Sequence, residues 1–99
     1  PAWLTWMARH HAVKTARWAR TVWGVPEGMD DAATTLAGVD RFKQWLRSVG
    51  MPVTLAQLGI DRPDIALLNS RLHEHMGPTV GHYVPLTAAD TEEIYRLAL

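Results

Sequence analysis

The sequence predicts an all-α fold, a bundle of about five helices joined by short loops. Three observations predict it. Apolar residues recur at three- and four-residue spacing through most of the 99 residues. Each such stretch is bounded by helix punctuation, a capping residue before it and Gly or Pro after it. Strand signals are almost absent: only Tyr83-Val84 suits an extended segment, and Pro85 follows at once, so no sheet can be built there. The length suits one domain spanning residues 1–99, and a composition 47% hydrophobic and 20% charged is that of a globular chain, which argues against disorder or a coiled coil.

The elements follow in order. Residues 2–10 form a short helix behind Pro1, a residue tolerated in a first turn. A second helix covers 12–23, joined to the first near His10-His11. At about 100° per residue, Ala12, Ala16, Trp18, Ala19, Val22 and Trp23 share an arc of roughly 160°. Lys14, Arg17 and Arg20 occupy the opposite, solvated arc, and Gly24 with Pro26 ends the helix. The third and longest helix starts at Asp30-Asp31, where acids suit the macrodipole. Its stripe is Leu36, Val39, Phe42, Leu46 and Val49, and Gly50 and Pro52 stop it. Thr54 to Gln57 matches a capping box for one short turn closed by Gly59. Asp61, Pro63 and Asp64 open a fourth helix with the stripe Ile65, Leu68, Leu72 and Met76, ended by Gly77-Pro78. Thr87 to Asp90 is a variant capping box for the last helix, with Ile94, Leu97 and Ala98 facing inward.

Composition removes whole classes of function. There is no cysteine, hence no disulfide framework, thiolate nucleophile, Cys-based zinc site or Cys-ligated cluster. No apolar run approaches the roughly 20 residues of a spanning helix, and the basic residues from Arg9 to Arg20 interrupt any signal-peptide core. A cytoplasmic protein without membrane contact is the expectation. Ten bases balance ten acids, so net charge provides no drive toward nucleic acid. The balance is uneven, however: residues 1–26 carry Arg9, Lys14, Arg17 and Arg20 and no acid. Bases interleaved with tryptophans can stack single strands. Trp18 and Trp23 fall away from the bases, though, so core is the reading periodicity favours, and no nucleic-acid partner is expected.

No reaction is spelled by the residues themselves. His10 and His11 are adjacent and diverge by about 100° on a helix; His73 and His75 point nearly opposite ways. Neither pair has the i,i+4 spacing of a helical metal site, so no metal ligand is assigned. Ser48 and Ser70 lie inside helical patterns without a nucleophile elbow. Gly77 to Gly81 lacks the frame of a phosphate loop. Asp30/Asp31 and Glu92/Glu93 read as helix-terminal or solvated charges. No catalytic or cofactor-binding residue is expected.

Ordered pieces along nearly the whole chain nonetheless resemble a known family. They are Pro1-Ala2-Trp3, the run from Ala19 through Trp23-Gly24-Val25, and Phe42 through Trp45-Leu46 to Gly50-Met51-Pro52 with Thr54-Leu55. Then come Leu58-Gly59-Ile60, Asp64-Ile65, Gly81-His82-Tyr83-Val84-Pro85-Leu86, and Thr87 to Asp90 leading through Ile94-Tyr95 to Ala98-Leu99. Together they resemble the C-terminal helical domain of iron-containing alcohol dehydrogenases, which have a dehydroquinate-synthase-like fold, and in particular the butanol-dehydrogenase-like branch. The resemblance implies an NAD(P)-dependent oxidoreductase of primary alcohols and aldehydes. In that family Fe²⁺, held by one Asp and three His, acts as a Lewis acid while the nicotinamide carries hydride. It also implies a preceding nucleotide-binding α/β domain as partner. The family's last ligand motif precedes its Pro-Ala-Trp segment, so none of the ligands maps onto this sequence. A C-terminal piece of a two-domain enzyme, inactive alone and without iron or NAD(P) of its own, is the expectation. The loop Met76–Tyr83 is expected near the substrate cleft, which makes His82 a candidate lining residue. A free helical module that binds protein or nucleic acid is the alternative. Trp3, Leu4, Trp6 and Met7 surround the first helix with large apolar groups, so self-association anchored by Trp3 and Trp6 is expected.

Overall fold

A computed structural model describes all residues from Pro1 to Leu99. The chain is all-helical: α1 (Ala2–His10), α2 (Ala12–Trp23), α3 (Asp31–Ser48), a short 3₁₀ turn (Ala56–Leu58), α4 (Ile65–Met76) and α5 (Ala88–Leu97). The sole β pairing is an isolated bridge between Val80 and Leu86.

Local chemistry sets the boundaries. His11 leaves the helical region at φ −149°, ψ 64°, which separates α1 from α2, and its N–H donates to Met7 O at 2.8 Å. Gly24 ends α2 in the left-handed region at φ +65°, natural for a residue without Cβ. Arg41 Nη1 reaches across from α3 to cap the Trp23 carbonyl at 2.7 Å. Asp30 and Asp64 cap α3 and α4 by accepting from Ala33 N–H (2.7 Å) and Leu67 N–H (3.0 Å). Of the residues expected to open α4, Asp64 is the one at the cap. Thr87 and Asp90 form the reciprocal box at the start of α5. The box at Thr54 is altered: Gln57 N–H donates to Thr54 Oγ1, but the Gln57 side-chain Oε1 accepts from Val53 N–H and not from Thr54 N–H.

Packing departs from the periodic stripes. The buried face of α2 is Thr15, Ala16 and Ala19, and that of α3 is Thr34, Thr35, Gly38 and Val39. Small side chains let the two backbones approach, and Thr15 and Thr35 share a buried hydrogen bond of 2.9 Å. A Cβ on Gly38 would sit 2.5 Å from Ala19 Cβ, so only glycine fits that crossing. Several stripe residues are accordingly exposed: Val22 on α2, Leu36 and Val49 on α3, Leu68 and Met76 on α4. Arg20, expected to be solvated, is half-buried and pairs with Asp31 (3.2 Å) and Glu27 (3.4 Å). Trp18, Trp23, Phe42 and Trp45 form an edge-and-stack aromatic cluster along the rim of the α2–α3 pair.

A second core lies elsewhere. Trp6 and Met7 of α1 meet Leu86, with Val84, Ile94 and Leu97 against them. Helix α1 touches α2, α3 and α5, α4 packs on no helix but α5, and α1 is the one helix in contact with both helix pairs. The Trp6 ring is 3% exposed, which corrects its expected role as an anchor for self-association; Trp3 remains exposed. The result is a slab of 41 × 30 × 16 Å with only 15 of 99 residues buried.

Candidate functional site

Polar side chains gather at three places. At the first, Glu93 of α5 faces α1. Its carboxylate accepts from the buried Trp6 Nε1 (3.1 Å) and from Arg9 Nη1 (3.3 Å), and lies 3.6 Å from His10 Nε2. The His10 ring packs against Trp6 at a 31° tilt with centroids 4.4 Å apart. Local spacing marks Glu93 only as a solvated charge, because its partners lie more than eighty positions away.

The second place is the loop Gly77–Leu86, which carries His82. Val80 and Leu86 exchange two backbone hydrogen bonds, 2.9 and 2.7 Å, and pinch the loop. Gly81 turns at φ +95°, where a Cβ would also press to 3.2 Å from Val84 O. The pinch holds His82 out to solvent with no hydrogen-bond partner, while Lys14 Nζ sits 4.4 Å over the Tyr83 ring. His82 is therefore an available side chain on a shaped loop. It is not a base within a constellation.

The third place joins α4 to α5. His73 contacts Gly77 O and Thr91 Oγ1, each at 2.8 Å, and Thr91 bonds to Asn69. His75 is exposed on the other side of α4. No three His, Asp or Glu side chains converge as a metal site would require. An open apolar groove of about 280 Å³ is lined by Pro1, Trp3, Pro52, Leu55, Leu58 and Ala98 among others. Leu55 N–H closes one wall by donating to Ala98 O at 2.8 Å.

Five helices and a pinched loop define an all-helical segment in which no three metal-ligating side chains converge. Two known proteins match it. The chain is 23% identical over 97 residues to the NADH-dependent butanol dehydrogenase A of Clostridium acetobutylicum, covering 97% of this chain and 25% of that protein. It is 28% identical over 85 residues to the NADPH-dependent aldehyde reductase YqhD of Escherichia coli, covering 86% of this chain and 22% of that one. The chain thus spans about a quarter of the length of the curated relatives it matches. Both matches agree with the family resemblance carried by the sequence. No family model matches the chain, and no solved structure does.

Proposed function

We propose that this chain is the C-terminal helical domain of an NAD(P)-dependent, iron-containing alcohol dehydrogenase, lining the cleft against the nucleotide-binding part. The observation that carries this reading is the alignment of 97% of the chain to a quarter of a butanol dehydrogenase. Surface area supports it. A compact monomer of 11.1 kDa exposes about 5,650 Å², whereas this chain exposes 6357 Å². The excess of roughly 700 Å² falls in the range of interfaces between domains of one chain. Exposed apolar residues provide the material for such an interface, among them Leu67, Leu68 and Met76 on α4 and Trp45 and Val49 at the end of α3.

The residues present do not fit iron or a dinucleotide. No ligand triplet converges and no Gly-rich phosphate loop exists, so both groups belong to the remaining polypeptide in this reading. What this chain contributes is a wall and a loop. His82, held outward by the Val80–Leu86 pinch, lines the cleft and contacts a primary alcohol or aldehyde.

The test uses the complete reading frame that encodes this chain, expressed with and without residues 1–99. Aldehyde-dependent oxidation of NADH or NADPH is the expected activity of the first, lost in the second. A reading frame that encodes no nucleotide-binding half and gives no such oxidation would overturn the proposal. Within an active enzyme, His82→Ala is expected to raise KM for the aldehyde more than it lowers kcat.

A further inference from the structure

Helix α2 turns its inner side to α1 and α3, and no helix covers its outer side. Two i,i+4 rows run along that outer side: Lys14, Trp18 and Val22 form one, Arg17 and Thr21 the other. Between them lies an open groove of about 350 Å³ lined by those five residues. A space bounded by one helix encloses too little of a small molecule, which needs walls around most of its surface. A groove between two such rows is instead the shape that receives a row of side chains from a second helix.

The groove has a definite chemistry. Lys14 and Arg17 enter no ion pair, and no acid occurs between Pro1 and Pro26 to meet them. Lys14 is steadied by the Tyr83 ring, 4.4 Å from its Nζ. Thr5, Thr15, Thr34, Thr35 and Thr91 each bond a carbonyl of their own or the preceding turn. Thr21, the remaining helical threonine, leaves its hydroxyl free in the groove. Trp18, which periodicity sets apart from the bases, shares the groove with them while it packs edge-on with Phe42 and Trp23.

We propose that this groove seats an acidic helix from the remaining polypeptide of the enzyme, with carboxylates at Lys14 and Arg17 and apolar side chains against Trp18 and Val22. The proposal rests on the dehydrogenase reading for the existence of that polypeptide, which the match to about a quarter of each relative supports. Lys14 borders both the groove and Tyr83, the neighbour of His82, so the groove prolongs the face assigned to the cleft. The surface in excess of a compact monomer's, roughly 700 Å², has room for such a contact. A second copy of this chain lacks the carboxylates. Glu27 and Asp31 are held by Arg20, Asp40 by Gln44, Glu92 by Arg96, and Glu93 by Trp6 and Arg9. Asp30, Asp64 and Asp90 cap helices. Only Asp61 and Glu74 are left, and their spacing cannot set them side by side on one helix face. Exposed ion pairs add little affinity. The cations therefore fix the direction and register of the incoming helix, and Trp18 and Val22 supply the attraction.

The test compares the complete polypeptide with this chain alone. A carbodiimide, which joins a lysine amine directly to a carboxylate, is expected to link Lys14 of the wild-type complete polypeptide to an Asp or Glu outside residues 1–99. Lys14 linked to Asp61 or Glu74 of a second copy, or to no carboxylate, would overturn the proposal. The chain has no cysteine, so Thr21→Cys places a single thiol in the groove, and its alkylation is followed by mass spectrometry of the α2 peptide. That reaction is expected to be several-fold slower in the complete polypeptide than in the chain alone. Lys14→Glu with Arg17→Glu should return it to the faster rate. Equal rates in the two polypeptides, or slow alkylation that survives the charge reversal, sinks the acidic helix. An active dehydrogenase with an open groove refutes this contact alone. A protected groove in a polypeptide that oxidises neither NADH nor NADPH refutes the dehydrogenase reading alone, and a reading frame with no further polypeptide overturns both.

Discussion

Glu93 does at one position what three ordinary contacts would otherwise share. A buried indole N–H without a partner costs about 1–3 kcal/mol, and Glu93 supplies that partner to Trp6 while also meeting Arg9 and His10. The carboxylate is 40% exposed, so its ion pairs contribute little beyond the hydrogen bond. Glu93→Ala should therefore cost about 1–2 kcal/mol in urea unfolding, and Glu93→Gln, which keeps an acceptor, less than about 1 kcal/mol. Equal losses in both would show that charge, and not the Trp6 bond, is what counts. The Trp23 indole N–H is the counter-example, buried with no partner.

Helix pairing in this fold rests on the absence of side chains. Helices α2 and α3 cross over Ala16, Ala19, Thr34, Thr35 and Gly38, and the crossing has no room for a methyl group at Gly38. Replacing a mid-helix glycine by alanine gains up to about 1 kcal/mol of helix propensity, while forced overpacking costs about 1–3 kcal/mol. The contact is with Ala19 Cβ at 2.5 Å and Ala19 Cα at 3.0 Å, neither the end of a flexible chain, so strain wins. Gly38→Ala is expected to lower stability by about 1–2 kcal/mol. A rise in the unfolding midpoint would mean that the helices separate more easily than this packing implies. Helix caps were readable beforehand because a cap acts within three residues: Asp30, Asp64 and Thr87 each bond the backbone N–H three positions on. Asp64→Ala should cost about 1 kcal/mol and fray α4, the helix with a single neighbour.

The molecule as a whole has more surface than its mass requires. Its radius of gyration is 14.5 Å, against about 12.6 Å for a compact chain of this length. The isolated chain is expected to associate with itself through the uncovered apolar surface, seen as a sedimentation coefficient that rises with concentration. The two N-terminal tryptophans should separate cleanly. Trp3→Ser weakens association without unfolding, because the ring is exposed and lines the open groove. Trp6→Ser instead removes the centre of the Trp6–Met7–Leu86 core and should cost about 3 kcal/mol or more. A concentration-independent monomer would remove the case for an uncovered interface.

Residue order alone determined the helical class, the five segments and nearly all their ends, since periodicity and caps act over three or four residues. It also carried the family resemblance with which a butanol dehydrogenase and an aldehyde reductase agree. Tertiary structure decided which side of each helix became the inside. A stripe of large apolar residues looks like a core face, yet at the α2–α3 crossing small residues permit the closest approach, which leaves Val22, Leu36 and Val49 outside. It alone brought Glu93 to Trp6 and His73 to Thr91, pairings across 87 and 18 positions that no local spacing encodes. Periodicity reports only that a face is apolar; whether a neighbour covers that face depends on the position of every other helix, and here α1 is the one helix that sets it for both pairs.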